Sequence, residues 1–135
     1  MIANKLQKCI YSCLKNRDSE NFNRLVGIFN YMDKNTDFPY IFIAINKIDD
    51  LSNFTKKIYD FSIAINIFDK NTTNSFLFDI AEEIKAIFSD ISTINSEDFA
   101  IMDIKFNSFN IEHEGDGMIW KGILSFNFII TESQS

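Results

Sequence analysis

The single histidine of this chain lies close in sequence to three carboxylates. His113 is flanked by Glu112 and Glu114, and Asp116 follows shortly after. Imidazole and carboxylate groups bind zinc and exchange protons in acid–base catalysis. However, successive strand residues point to opposite faces, and the sequence holds no second histidine to complete a usual zinc set. The two nearby glycines are typical of a hairpin, so the pattern favours a turn, with a metal or acid–base site as the alternative.

Two adjacent acids, Asp49 and Asp50 in "NKIDDLSNFTKK", form a second candidate for chemistry. No base, nucleophile or glycine-rich phosphate loop accompanies them in the sequence, and the many serine and threonine hydroxyls lack an activating base. Solvated loop acids are therefore the favoured interpretation. We predict that the chain is not an enzyme and that it uses no cofactor and no metal.

The same loop could instead contact a protein. Two apolar residues, Leu51 and Phe54, lie between the acids and the lysines. Apolar side chains ringed by charge are typical of protein interfaces, although both residues could also tuck into the core. We keep both interpretations open. The candidate interface comprises Asp49, Asp50, Leu51, Phe54, Lys56 and Lys57.

Two further residue types invite a chemical interpretation. Cys9 and Cys13 are four positions apart on a predicted helix, and two thiols without a second cluster make neither a disulfide framework nor a zinc site. Trp120 lies on the apolar face of the last predicted strand. For all three residues, packing is favoured over ligand binding.

Composition excludes several classes of function. The chain of 135 residues is 46% hydrophobic and carries a net charge of −6, with no basic cluster longer than Lys56-Lys57, so it should not bind nucleic acid directly. No apolar run approaches the ~20 residues that cross a bilayer, and Lys5 and Lys8 interrupt any signal-like core near the start. We predict one soluble domain, residues 1–135, without a membrane partner.

The first half of the sequence predicts one helix and the beginning of a sheet. Apolar residues recur every three to four positions in a helix over 2–16, and a short extended segment follows at 25–31. Pro39 is the only proline. Because proline is tolerated in a sheet at a strand's first residue, an edge or a bulge, Pro39 should mark the start of the buried strand "YIFIAI".

The second half predicts a long strand, a helix and a hairpin. Alternating apolar residues define a strand over 55–68, which should bend or project beyond the domain. A helix follows, capped by Thr73 or Asn74, and its apolar stripe extends from Phe76 to Phe88. Strands over about 99–112 and 118–131 come last, with a bulge near Asn107 to restore the apolar phase of the first. We therefore predict an α+β fold of order α-β-β-β-α-β-β, with a mainly antiparallel sheet and two amphipathic helices on one face.

The order of these elements resembles the phage tail-completion, or tail-to-head joining (tail terminator-like), family. The resemblance spans about residues 6–131. It rests on the N-terminal helix and on the segments "FPYIFIAI", "YDFSIAINIFDK", "FLFDIAEEIKAIF" and "WKGILSFNFIITE". The match of residues 25–38 is loose, and no functional residue can be carried over individually.

The resemblance implies a structural role. Similar proteins form rings, commonly hexameric, at the head-proximal end of the tail and join it to the head connector. The expected partners are then other copies of the chain, the tail tube protein and head connector proteins. The expected location is the virion, after assembly in the cytoplasm of a bacterial host. A long strand could extend a neighbour's sheet in such a ring.

Two other functions compete with this hypothesis. One is a small-molecule binding module or an unrecognised enzyme with a cleft between helices and sheet. The other is a regulatory adaptor that acts on a partner chain. Ring-shaped oligomers would favour the structural role over both.

Overall fold

A computed structural model describes residues 2–31, 37–94, 96–114 and 118–133. Its elements follow the predicted order, with two short additions: a one-turn helix after the first long helix and a 3₁₀ turn, Ile91–Thr93, after the second. The helices are α1 (Ala3–Lys15), α2 (Glu20–Asn23) and α3 (Ser75–Phe88). The strands are β1 (Gly27–Phe29), β2 (Tyr40–Asp50), β3 (Ile58–Lys70), β4 (Phe99–Glu114) and β5 (Ile119–Glu132).

The five strands form one mostly antiparallel sheet in the order β1-β2-β3-β5-β4. The predicted α+β class is therefore confirmed. One pairing differs from the expected antiparallel arrangement, since β1 runs parallel to β2. The reason is that the connection between β1 and β2 is longer than a tight turn, so it can return the chain to the same end of the sheet.

The two long helices cover one face of this sheet. In α1, Leu6, Ile10 and Leu14 recur every four residues and are fully buried. The apolar stripe of α3 joins the same core cluster as alternate residues of the central strands, including Ile43 and Ile65. Asn74 occupies the N-cap position of α3 as predicted, but its side chain makes no capping hydrogen bond.

The strand predicted over 55–68 is β3, which lies in the middle of the sheet. β3 pairs along its length with β2 on one side and β5 on the other. Its main chain is therefore already used, and the expectation that this strand projects to extend a neighbour's sheet is wrong. Its central position also buries Ala64 and Asn66, on the face without helices.

Pro39 directly precedes β2, as predicted from its missing N–H group. Its carbonyl oxygen accepts a hydrogen bond from the backbone N–H of Val26 at 2.7 Å, which joins the strand's start to the residue before β1. The Phe38–Pro39 peptide bond is cis.

Two register shifts interrupt β4. The predicted bulge near Asn107 is confirmed by the shift between Phe106 and Ser108. A second shift, between Ile101 and Asp103, was not predicted. Because of this shift, the residues before it point to the faces opposite to those that strict alternation gives. Ile101, and not Ala100, therefore shares the helix-covered face with Ile104.

Residues 115–117, which connect β4 and β5 in the sequence, lie outside the described residues, so nothing tests the turn predicted at Asp116 and the two glycines. The predicted apolar face of β5 is confirmed, with Leu124, Phe126, Phe128 and Ile130 buried. Within the described ranges, no helix is long and apolar enough to cross a membrane.

Candidate protein-interaction site

The candidate interface residues lie together in the β2–β3 hairpin. Asp49 and Asp50 end β2, β3 begins at Ile58, and the loop comprises residues 51–57. The backbone N–H of Leu51 donates to the carbonyl of Ile58 at 2.8 Å, and the N–H of Ile58 donates to the Ser52 hydroxyl at 3.0 Å. These bonds close the base of the loop.

Asn53 organises the tip of this loop. Its side-chain oxygen accepts hydrogen bonds from the backbone N–H groups of Thr55 and Lys56, both at 2.9 Å, and from the Thr55 hydroxyl at 3.0 Å. Asparagine often builds turns in this way. The backbone around residue 54 is therefore held in one conformation.

Strand β5 holds the end of the loop that leads into β3. The carbonyl oxygen of Lys57 accepts from the backbone N–H of Glu132 and from the Thr131 hydroxyl, each at 3.1 Å. The Lys57 ammonium also lies 3.8 Å from the Glu132 carboxylate. The loop is thus fixed to a neighbouring strand as well as to itself.

The tip presents an aromatic ring to solvent. Phe54 has a relative exposure of 110%, and Leu51 is also exposed. The alternative in which both side chains tuck into the core is therefore wrong. Exposed apolar groups on a fixed loop favour an interface, which stays a prediction for these six residues.

The two acids do not form a catalytic pair. They are adjacent on a strand, so their side chains point to opposite faces. The Asp49 carboxylate lies 3.5 Å from the Lys47 ammonium. The Asp50 carboxylate accepts from the Ser52 backbone N–H at 2.8 Å, and hydrogen bonds from the side chain and then the backbone of Ser52 lower its pKa. Each acid therefore serves local structure.

The other chemical candidates are dispersed. His113 is exposed on β4 and its ring lies 4.3 Å from that of Trp120 on β5. Among the described residues, no group of three or more potential ligands could hold a metal ion. Cys9 and Cys13 are half-buried on α1, and burial is the main cause that raises the pKa of both thiols.

The sequence interpretation missed a buried acid. Asp69, near the end of β3, is 4% exposed, and its Oδ2 has no hydrogen-bond partner among the described residues. Burial raises its pKa, against the opposing effects of the Lys70 backbone, the Arg24 charge and the Asn71 side chain. The signal was present, since Asp69 continues the alternating apolar series Phe61, Ile63, Ile65 and Ile67.

A cleft and an exposed aromatic residue were missed as well. The cleft, of about 350 Å³, opens beside β1. Its lining includes Tyr11, Lys15, Phe22, Leu25 and Ile28. At the other side of the sheet, Phe78 on α3 is 48% exposed, and its ring lies 5.9 Å from that of Phe109 on β4.

Comparisons with known proteins identify the fold. No protein-family model matches the chain, and no curated protein matches it. A solved chain from the "Virion of native gene transfer agent (GTA) particle" is similar, with a TM-score of 0.82 and 12% sequence identity. The likeness covers 98% of this chain and 98% of that chain. At this identity it shows a shared fold that extends over nearly the whole chain.

Proposed function

We propose that this chain is a structural protein of a virion, in a tailed phage, a prophage or a phage-derived particle. More specifically, copies of this chain form a ring at the head-proximal end of the tail and join the tail to the head connector. The likeness to a virion chain supports the proposal, since it extends over 98% of both chains. The partners would be further copies, the tail tube protein and head connector proteins.

Within this chain, the observation that carries the proposal is the tip of the β2–β3 hairpin, where hydrogen bonds hold the loop and Phe54 is exposed. Aromatic side chains are frequent anchors of protein interfaces. A loop that is already ordered loses little conformational entropy when it binds. The hydrogen bonds of Asn53 and the bracing by β5 supply this order around Phe54. The hairpin is therefore suited to dock against a tail or connector protein.

The charges around Phe54 fit a polar rim. Asp50, Lys56 and Lys57 are exposed and surround the apolar tip. Interfaces typically place such residues around an apolar centre, where they affect specificity and association rate more than affinity. Reversal of the two acids should therefore add to the effect of losing the aromatic ring.

The experiment mixes the purified full chain with tail tubes assembled from a tail tube protein of the source phage or prophage. Negative-stain microscopy should show rings at one end of each tube. A triple variant, Asp49→Lys, Asp50→Lys and Phe54→Ser, should remain folded and fail to cap tubes. The matched control is Ile91→Ser, which removes an exposed apolar side chain from the 3₁₀ turn and should still cap.

Two results would overturn parts of this proposal. If mass spectrometry of particles from the source organism does not detect the chain, the virion role is wrong. If the triple variant caps tubes as well as the wild type does, the hairpin is not the docking surface, although the virion role would stand.

A further inference from the structure

The sheet ends in two edge strands with no strand beyond them among the described residues. β1 pairs only with β2, and β4 pairs only with β5. Unpaired main-chain groups on an edge strand can pair with another chain. In β4, the register shifts affect the first half, whereas the register is continuous from Ser108 to Glu114. The regular second half is therefore the part suited to pairing.

The two edges lie at the same level of the sheet. Three rows of paired residues cross the sheet from β1 to β4 through every strand. They are Gly27–Tyr40–Phe68–Lys121–Glu112, Ile28–Ile41–Ile67–Gly122–Ile111 and Phe29–Phe42–Asn66–Ile123–Asn110. A closed ring has no translation along its axis. In a ring whose axis follows the strands, β1 of the next copy therefore meets β4 near Asn110–Glu112.

The strand directions are also compatible. β1 is parallel to β2, and three successive antiparallel pairings make β4 run opposite to β2. Continuing the sheet into a second copy would thus place β4 antiparallel to β1 of that copy. On the helix-covered face, Ile111 would lie beside the neighbour's Ile28, and both already pack against the hydrophobic core.

Phe78 and the cleft beside β1 lie on the same face of the sheet. Phe78 projects from α3 at the β4 edge, where it contacts Phe109. The cleft is lined by α1 and β1 residues at the opposite edge. Phe109 belongs to the row of paired residues Phe109–Leu124–Ile65–Ile43, which is next to the row that contains Phe29. Continuation of the sheet would therefore bring Phe78 to the level of the neighbour's cleft.

The chain segments that contribute to the two surfaces carry opposite net charges. Residues 2–24 carry five basic and two acidic side chains, for a net charge of +3, whereas residues 79–114 carry nine acidic residues and two lysines, for −7. Two ion pairs within the chain, Lys5–Asp98 and Arg17–Glu83, use part of these charges. Lys15 lines the cleft and exposed Asp79 follows Phe78. Such complementarity favours a head-to-tail contact over a symmetric one.

We propose that the partner of these edges is a second copy of this chain. The second half of β4 pairs with β1 of the next copy, Phe78 fills that copy's cleft, and Asp79 faces its Lys15. The inference deepens the proposed ring and rests on it. Because the contact joins different surfaces of the two copies, an open oligomer keeps one unpaired β1 edge and one unpaired β4 edge until the ring closes.

The test uses two variants, each of which disables one surface of the full chain. Phe78→Lys removes the aromatic anchor and places a cation against Lys15. Val26→Asp places an acid at the exposed rim of the cleft, opposite Asp79. Sedimentation velocity should show concentration-dependent oligomers for the wild type. Each variant alone should associate at least about 30-fold more weakly, as expected for loss of an interface anchor.

Mixing provides the decisive measurement. Phe78→Lys keeps its cleft and Val26→Asp keeps its Phe78, so an equimolar mixture should form a 1:1 dimer and nothing larger. A charge exchange provides a second readout. Lys15→Glu and Asp79→Lys should each weaken assembly, and the two changes in one chain should restore it. Circular dichroism of every variant checks that it is folded.

The control is Ile91→Ser, which should assemble like the wild type because the exposed Ile91 lies in the 3₁₀ turn after α3, outside the proposed contact. A wild-type chain that stays monomeric at its highest soluble concentration would overturn this inference, as would unchanged assembly of both Phe78→Lys and Val26→Asp. In either case the proposed virion role is judged separately, by detection of the chain in particles.

Discussion

Replacing Glu83 by alanine tests how α3 holds the segment that leads into β1. The Glu83 carboxylate accepts hydrogen bonds from the Ser19 hydroxyl at 2.7 Å, the Asn21 amide at 3.2 Å and the Arg17 guanidinium at 3.4 Å. Ser19 also accepts from the backbone N–H of Phe22 at 3.1 Å and so caps α2. One carboxylate therefore fixes both the α1–α2 connection and α2.

The expected cost follows from these contacts. The Glu83 side chain is 19% exposed, and a hydrogen bond to a charged group contributes about 1.5–3 kcal/mol. The Arg17 pair is largely exposed and adds about 0–1 kcal/mol. Water can reach part of Ser19 and Asn21 after truncation, which limits the loss. We expect Glu83→Ala to lower the free energy of unfolding by about 2 kcal/mol, and Glu83→Gln to lower it by about 1 kcal/mol because a neutral acceptor remains.

Urea denaturation, followed by circular dichroism and Trp120 fluorescence, measures this change. All chains in this measurement also carry Phe78→Lys, so that assembly does not add to their apparent stability. The matched control is Glu82→Ala on the same helix. The Glu82 side chain is 78% exposed and lies 3.9 Å from the Lys85 ammonium, so its loss should change stability by no more than about 0.5 kcal/mol.

Equal stabilities of Glu83→Ala and Glu82→Ala would refute this reasoning. That result would mean that water replaces the three hydrogen bonds at no cost, and that other contacts position α2. With an intact Phe78, Glu83→Ala should also weaken assembly, because the residues that lead into β1 and its cleft lose their anchor on α3.

Three further outcomes are expected. Ile65→Ala, in the fully buried centre of β3, should lower the free energy of unfolding in urea by about 3–4 kcal/mol. Ile123→Ala, on the opposite face of the sheet, should lower it by about 1 kcal/mol, and similar costs would contradict the assigned core. Because burial raises the pKa of Asp69, its contribution to stability is greatest below the ordinary aspartate pKa and is lost as pH rises through the raised value. Asp69→Asn should therefore be more stable than the wild type at neutral pH, with a smaller decline of stability above about pH 4; an unchanged pH profile would argue against this burial. Since the pKa values of Cys9 and Cys13 are raised, both thiols should react with an alkylating reagent more slowly than glutathione does at mildly alkaline pH, and faster modification would contradict this.

The candidate interface was partly predictable. The sequence placed Leu51 and Phe54 in a charged loop, but it could not decide between burial and exposure, because that depends on what packs over the loop. The structure exposes both and shows β5 bracing the hairpin at Lys57. The helical period of α3 places Phe78 outside the buried stripe, on the same side as the exposed Glu82. Only the tertiary structure shows that this side of α3 lies at the β4 edge, beside Phe109.

The sequence by itself determined the elements and the face that each buries, as α1, α3, β3 and β5 demonstrate. A period of about four or of two must appear in the sequence whenever one side of a helix or strand is buried, so local pattern is sufficient. Tertiary structure alone decided the parallel β1–β2 pair, the central place of β3 and the second bulge of β4. These features depend on pairing between residues far apart in the chain, and a strand's pattern does not specify its neighbours. The edge positions of β1 and β4 among the described strands, on which the proposed contact between copies depends, follow from that strand order.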